Sequence, residues 1–326
     1  MSETTFRVVA DVCGRTEIGP TRTENQDAIV VAGAVGQATG TRLSWSGEVG
    51  PRGVVVGVVD GMGGYRGGAQ AAALVATTLA SADLLGRVSS TPAGRDTPGT
   101  HAGGVVVSRD SAAVTPSSAL PAHAPDVPRL TRGCSTHALV DGLDAWFGDL
   151  SVRVGQAGRA WDTPDMGATA AVLVLVPTGL VVANVGDCRV YRTNAGRLGQ
   201  LSVDDRRDPG SSGVTQALGG PAQIDAHVWR EDLVEGHGRY VLCSDGVWET
   251  LGPAVMRDLC TAERSPGQVV DAVAASVYAQ HAGDNCSVVV VDLTVRPSTE
   301  DVPQTGRPVV SVDVQNLSEQ VRGIFS

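Results

Sequence analysis

The chain has 326 residues, 42% hydrophobic, 18% charged and 4% aromatic, which excludes a wholly disordered chain, a collagen and a small disulfide scaffold. Acidic residues number 35 against 25 basic ones, every one of the latter an arginine, so no basic stripe is present and a nucleic-acid partner is argued against. Length suggests about two domains and allows one large one.

In chain order, residues 1 to about 85 read as folded. A β-rich start leads into the apolar strand GVVVGVVD (Gly53 to Asp60) and then into AQAAALVATTLASADLL (Ala69 to Leu85). The latter has no internal Gly or Pro and reads as a buried helix. Residues 86 to 132 hold six of the 17 prolines and no aromatic residue, a composition that cannot bury enough to offset its chain entropy. They read as a disordered or loosely packed insertion, with a docking segment as the alternative. Helical period returns near His137. Strand signals follow at Gly167 to Val176, Leu180 to Arg192, Arg239 to Ser244 and Ser287 to Val295. Helical segments near Gly252 to Cys260 and Pro266 to His281 separate the last two strands. Strands in successive pairs with helices gathered elsewhere suggest antiparallel sheets with helices packed outside. The polar tail from Arg296 reads as mobile or as a short extension.

The N-terminus lacks the basic start and apolar stretch of a secretory signal, and no run reaches the roughly 18 apolar residues of a membrane helix. A cytoplasmic protein without membrane contact is expected. Six cysteines (Cys13, Cys134, Cys188, Cys243, Cys260, Cys286) form no CxxC pair or zinc-finger spacing and read as reduced, mostly buried small hydrophobes.

Several carboxylates stand where a strand meets a turn. Asp60 closes GVVVGVVD before GMGG, Asp245 follows YVLCS and precedes Gly246, Asp284 lies just before a strand in GDNCSVVVV, and Asp27 does the same in RTENQDAIVV. A strand end holds a side chain rigidly while opening onto solvent, and a following glycine lets backbone approach a bound ion. Each Asp-Gly alone is usually a mere turn. Gathered together, such carboxylates would repel unless cations compensated them, and oxygen-only ligands favour Mg²⁺ or Mn²⁺. Two such ions about 3.5–4 Å apart can share and activate a water.

The ordered series RTENQD, VVDGMGG, GATA, ANVGDCRVYR, QALGG, CSDGVWE and GDNCSVVV resembles the PP2C, or PPM, family of metal-dependent serine/threonine protein phosphatases, in its bacterial form. The resemblance covers roughly residues 7 to 86 and 133 to 295. It implies an α+β fold, a four-layer αββα sandwich of two antiparallel sheets flanked by helices. One domain would span 1–295, interrupted at about 86–132, with 296–326 as a tail. The implied activity is hydrolysis of phosphoserine or phosphothreonine by a hydroxide bridging two divalent metals. Two or three Mn²⁺ or Mg²⁺ ions are the implied cofactors. Residue by residue, the resemblance makes Asp60 the bridging carboxylate, puts the Gly61 carbonyl on one metal and Asp245 and Asp284 on the other, and has Asp27 hold the metals directly or through water. Arg22 would grip the substrate phosphate, a task that suits a guanidinium fork. Asp162, with Asp165 as runner-up, is the candidate for a third metal. Asp187 and Thr169 are expected to be structural, and Cys188, Cys243 and Cys286 to point into the core.

Three positions depart from the family pattern. Gln26 stands where many members have Glu. Met62 stands where animal enzymes have a histidine that could act as general acid. Only about ten residues separate Asp204–Arg206 from QALGG, where a longer flap is usual. The implied partner is a phosphorylated protein, the substrate of a serine/threonine kinase, acted on by a monomer. Anti-sigma-factor antagonists are one substrate class found among related bacterial phosphatases. The rival reading is a catalytically weak or inactive PP2C-fold module that binds phosphoproteins.

Overall fold

The computed structural model describes residues 6–81, 105–107, 136–208, 213–220, 223–233, 235–297 and 309–314. In chain order they form β1 (Phe6–Glu17), β2 (Asp27–Val31), β3 (Ala34–Gly36), β4 (Thr41–Glu48), β5 (Val54–Met62), α1 (Gly64–Ala80), β6 (Val105–Val107), α2 (Thr136–Ala160), β7 (Gly167–Val176), β8 (Gly179–Val185), β9 (Arg189–Asn194), β10 (Arg197–Gln200), β11 (His227–Glu231), β12 (Gly236–Cys243), α3 (Asp245–Cys260), α4 (Pro266–Ala279), β13 (Cys286–Pro297) and β14 (Val309–Val314).

The strands make two sheets. One has eight strands in the order β10-β9-β12-β13-β1-β4-β14-β6, and the other has six in the order β11-β8-β7-β5-β2-β3. Helices α1 and α2 pack on the six-stranded sheet and α3 and α4 on the eight-stranded one, which gives the expected αββα layering. Three apolar layers result, because each central strand is buried on both faces and sorts its side chains with period 2. In β7, Ala170, Val172 and Val174 meet the helices, whereas Ala171, Leu173 and Leu175 meet the opposite sheet. In β13, Val288 and Val290 face α3 and α4, and Val289, Val291 and Leu293 face inward. Helix α2 presents Leu139, Leu143, Trp146, Phe147, Leu150, Val154 and Ala157 to its sheet at the three- and four-residue spacing of one helical face. Ser265 and Gln268 form a reciprocal capping box that starts α4, with Pro266 in the first turn.

The structure refines several boundaries. The single strand expected over 180–192 is split into β8 and β9, because Gly186 takes the left-handed conformation (φ 91) and turns the chain. The helix expected from Gly252 begins earlier, at Asp245, and is broken at Gly252 (φ 68) just ahead of Pro253. Both sheets are antiparallel apart from one parallel pair, β14 with β6. That pair joins a strand from within the expected insertion to one from the polar tail, and β14 pairs along β4. Both are short Val-rich runs, and the Pro-, Ser- and Thr-containing composition of the stretches around them hid them from the sequence. The rest of the 86–132 insertion, and the tail apart from residues 296–297 and β14, lie outside the described residues. Among the described residues no helix is long and apolar enough to cross a membrane.

Candidate active site

Antiparallel pairing brings one set of strand ends to a single end of the sandwich. Asp27 opens β2 directly opposite Asp60 near the end of β5, and Asp60 lies opposite Thr169 at the start of β7. In the other sheet, Cys243 at the end of β12 pairs with Arg189 at the start of β9 and with Val288 in the first turn of β13. Asp245 follows Cys243 by two residues, Asp187 precedes Arg189 by two and Asp284 precedes the start of β13 at Cys286 by two, so all three emerge at the same end.

These carboxylates sense one another. Asp60 keeps part of its surface on the cleft, yet the surrounding chain shields it from bulk water. That shielding first, and then the charges of Asp27, Asp245, Asp284 and Asp187, raise its carboxyl well above the ordinary range. Burial also pushes Asp27 up to about 6, opposed by donors from Ser244 and Ser287, and pushes Asp245 up to about 7, reinforced by Asp187 and Asp284.

Asp27 is buried at 1% exposure and is held by a closed polar network. Ser244 Oγ donates to its Oδ2 (2.7 Å) and accepts from Ser287 N (3.1 Å); Ser287 Oγ bonds Thr16 Oγ1 (2.8 Å), which accepts from Asn25 Nδ2 (2.8 Å). Ser244 precedes α3, but its hydroxyl serves Asp27 and does not cap the helix. Asp245 in the first turn of α3 lies at the positive end of the helix dipole.

The loop carrying RTENQD is pinned by Asn285. Its Nδ2 donates to Ile18 O (2.8 Å) and Glu24 O (2.9 Å), and its Oδ1 accepts from Gln26 N (2.9 Å). This staple puts Arg22 at the mouth of the cleft, where Nη2 donates to Asp284 Oδ2 (2.6 Å) and Nε to Gly283 O (3.1 Å). The other Asp284 oxygen accepts from Asn285 N (2.8 Å). Two glycines make these approaches possible. A Cβ on Gly61 would strike the carbonyl oxygen of Gly68 and come within 2.8 Å of Gln26 O, and one on Gly246 would strike Asn285 O.

Arg206 supplies a cation from the opposite side. It donates to Asp187 Oδ2 through Nε (2.8 Å) and Nη2 (2.6 Å), to Asp245 Oδ2 (3.3 Å) and to Glu249. Beyond it, Arg206 bridges Val214, and Thr215 N donates to Asp205 O (2.6 Å). Thr169 is buried, with its hydroxyl 3.2 Å from the Cys188 sulfur; Cys188, Cys243 and Cys286 are buried free thiols.

The structure thus brings together Asp27, Asp60, Gly61, Asp245, Asp284 and Arg22. Asp162 stands apart, exposed on the turn after α2 in the left-handed conformation (φ 57), where Thr163 N donates back to Gly158 O (2.8 Å) and closes the helix end. Asp165, also exposed, lies nearer, its backbone carbonyl packed against Gly63 of the GMGG turn.

The donor set fits divalent ions. It is made of oxygens, and beyond burial the charges of their neighbours, Asp284 among them, raise the carboxyls of Asp27, Asp60 and Asp245, a repulsion that a bound cation would relieve. Among the described residues, no three His, Cys, Asp or Glu side chains form a ready-made cage around one point.

Ser244, Asn285 and Arg206 are the residues that sequence reasoning missed. Asn285 and Arg206 stand inside or beside the motifs, but their roles depend on partners 259 and 39 positions away, and that of Ser244 on one 217 away. The Asn-Cys-Ser run after Asp284 was the available signal for Asn285.

Comparison with known proteins follows the same lines. The protein phosphatase 2C family model matches residues 125–208. A rice protein, probable protein phosphatase 2C member 13, mitochondrial (Oryza sativa subsp. japonica), is 28% identical over 155 residues, covering 39% of this chain and 43% of its own length. The chain thus matches less than half the length of this relative, and 32% of a second rice relative, probable protein phosphatase 2C 52. Among solved structures, the S. agalactiae serine/threonine phosphatase superposes with a TM-score of 0.59 at 18% identity, covering 86% of this chain and 98% of that one. PppA of Pseudomonas aeruginosa gives 0.59 at 21%, covering 87% and 98%. The catalytic domain of PstP, a Mycobacterium tuberculosis phosphatase solved with two manganese ions, gives 0.58 at 19%, covering 88% and 99%. The fold is that of bacterial serine/threonine phosphatases, and the motif series and family match agree on PP2C.

Proposed function

We propose that this PP2C-type chain is a metal-dependent phosphatase that hydrolyses phosphoserine and phosphothreonine in proteins. The observation that carries the reading is the convergence of Asp27, Asp60, Asp245 and Asp284, from four separate segments, beside an accessible arginine. Asp60, the Gly61 carbonyl, Asp245 and Asp284 would hold two Mn²⁺ or Mg²⁺ ions, with Asp27 supporting Asp60 from the adjacent strand. When bound, such ions supply Lewis acidity and an activated water for in-line attack at phosphorus.

The chain's own groups do the rest. Arg22, tethered to Asp284 and open to solvent, presents guanidinium donors to the phosphoryl oxygens as charge develops on them. Asn285 fixes the loop on which Arg22 rides, and thereby the distance between the phosphate grip and the acidic cluster. Met62 has no proton to give, so the leaving serine or threonine oxygen takes its proton from water. The few residues between Arg206 and QALGG leave no room for a long flap, which suits a folded or bulky phosphoprotein more than a short peptide needing enclosure.

The test is phosphate release from a phosphothreonine peptide. Activity should require Mn²⁺ or Mg²⁺, stop with EDTA and fall by several orders of magnitude in Asp60→Asn and Asp245→Asn. Turnover that survives chelation, or phosphopeptide binding with no turnover under any metal, refutes the reading; the second result would favour a phosphoprotein-binding module.

A further inference from the structure

The carboxylates of the cleft come from both sheets. Asp27 and Asp60 sit on β2 and β5 of the six-stranded sheet, whereas Asp245 and Asp284 flank β12 and β13 of the eight-stranded one. Their spacing therefore depends on how firmly the sheets are tied together at this end. One crossing between the sheets, residues 18–26, is pinned by Asn285. A second, residues 186–188 between β8 and β9, carries Asp187. Asp205, 7% exposed, uses its backbone N and O and both carboxylate oxygens around that second crossing. Its Oδ2 accepts from Gly186 N (2.8 Å) and its N donates to Gly186 O (2.9 Å), so the glycine that turns the chain is gripped twice. Its Oδ1 accepts from Gln216 Nε2 (2.9 Å) and lies 2.9 Å from His227 Nε2 on β11, the outer strand of the six-stranded sheet. Gln216 leads into Leu218, which exchanges both backbone hydrogen bonds with Ala168 of β7. The Asp205 side chain is thus tied to the six-stranded sheet. The next residue, Arg206, reaches the other way, to Asp187 through two donors and to Asp245 and Glu249 on α3, which packs on the eight-stranded sheet.

We propose that Asp205 is a positioning residue: with Arg206 it forms a bracket between the two sheets that sets the distance from Asp27 and Asp60 to Asp245. The effect on turnover rests on the phosphatase reading, whereas the bracket stands on the contacts alone. Arg206 lies in a β-bridge with Val214, and consecutive side chains of extended backbone leave on opposite sides, so two adjacent residues can hold two sheets. Arg22 is held from elsewhere, by Asp284, by Gly283 O and by the Asn285 staple on its loop. Loosening the bracket should therefore misalign the acidic groups and leave the phosphate grip as it was, a loss in kcat more than in KM. Trp248 reports on the bracket without metal or substrate, because its Nε1 on α3 donates to Asp187 O (3.1 Å) on the crossing.

The test compares Asp205→Ala with Arg239→Gln in the full chain; the Arg239–Asp292 ion pair joins β12 to β13 away from the cleft. Both variants should melt at a lower temperature. Only Asp205→Ala should lose kcat on a phosphothreonine peptide with Mn²⁺, by about 10- to 100-fold, with KM within about twofold of the wild type. Only Asp205→Ala should exchange the Trp248 indole proton faster in EDTA, by about 10-fold. Its kcat loss and that of Arg206→Gln should not add in the double variant, since either change opens the same bracket. If Asp205→Ala does not fold, Asp205→Asn, which keeps one acceptor oxygen, should show the same split at smaller size. A kcat loss no larger than that of Arg239→Gln, a loss that falls on KM instead, additive losses, or unchanged Trp248 exchange overturns the proposal. Failure of the phosphatase reading looks different: the wild type itself releases no phosphate with any metal. The bracket is then decided by Trp248 exchange, faster in Asp205→Ala in its favour and unchanged against it.

Discussion

Replacing Ser244 by alanine isolates the least solvent-exposed ligand candidate. The hydroxyl is wholly buried, donates 2.7 Å to Asp27 and accepts from Ser287 N. Asp27 holds its proton more tightly in the folded chain, at about 6 against an ordinary 3.8. It therefore favours the fold at low pH, and this contribution fades as pH rises through about 6. Ser244 offsets part of the fading, because it stabilises the ionised carboxylate. A hydrogen bond to a charged acceptor contributes about 1.5–3 kcal/mol, and an orphaned buried N–H costs about 1–3 kcal/mol. At pH 8, Ser244→Ala should lose about 3 kcal/mol. At pH 5, where Asp27 is mostly protonated, only the weaker neutral bond and the Ser287 N–H are at stake, and about 1–2 kcal/mol is expected. Urea denaturation at both pH values, with EDTA present, measures the difference. An equal loss at the two pH values would refute the argument that Ser244 acts on the ionised form of Asp27.

Other expectations follow from the same geometry. Metal stabilisation should grow between pH 5 and pH 8, because Asp27 (about 6) and Asp245 (about 7) must release protons for a cation to take their charge; melts with and without Mn²⁺ at the two pH values check this, and an equal shift at both would contradict it. Arg22→Ala should lower kcat/KM for a phosphopeptide about 10- to 100-fold, as expected for a lost charge-assisted contact. Its ion pair with Asp284 is half exposed on both sides, so the melting temperature should barely move. Asn285→Ala removes three hydrogen bonds from a buried group and should cost about 2–4 kcal/mol while opening residues 18–26 to limited proteolysis. Gly61→Ala forces a methyl group into the Gly68 carbonyl and should abolish metal-dependent stabilisation even where the chain still folds; a normal Mn²⁺ shift in that variant would show that the turn can yield.

The aspartates at strand ends were legible through their combination and order along the chain, since an acidic residue beside glycine at the end of one apolar strand is usually a mere turn. The αββα layering was legible as an implication of motif order, and the paired Val-rich strands agreed with it. What stayed hidden is what depends on tertiary meeting points. Arg206 reads as one arginine in a charged turn until folding carries Asp187 and Asp245 to its two sides. Ser244 reads as the last residue of a strand until Asp27 arrives from the other sheet. Strands β6 and β14 are short Val-rich runs inside stretches of linker-like composition, and pairing identifies them, β14 along β4 and β6 along β14. Asp162 is a candidate that the structure sets on the turn after α2. Its spacing before GATA drew attention, while its left-handed conformation closes a helix and leaves the carboxylate in solvent.

The pairing of β1 with β13 has a kinetic consequence. Residues 6–17 hydrogen-bond along their whole length with residues 286–297, in the middle of the larger sheet. On a ribosome, β1 must therefore wait, with β4 as its neighbour, until β13 has been made. Contacts so far apart in sequence slow folding, and the clamp at the catalytic end, which joins Asn285 to residues 18–26, can close only after that wait. Maturation of this pocket is thus a late event in the life of each molecule, and agents that shield exposed β1 and β4 during synthesis should raise the yield of active protein more than agents added afterwards.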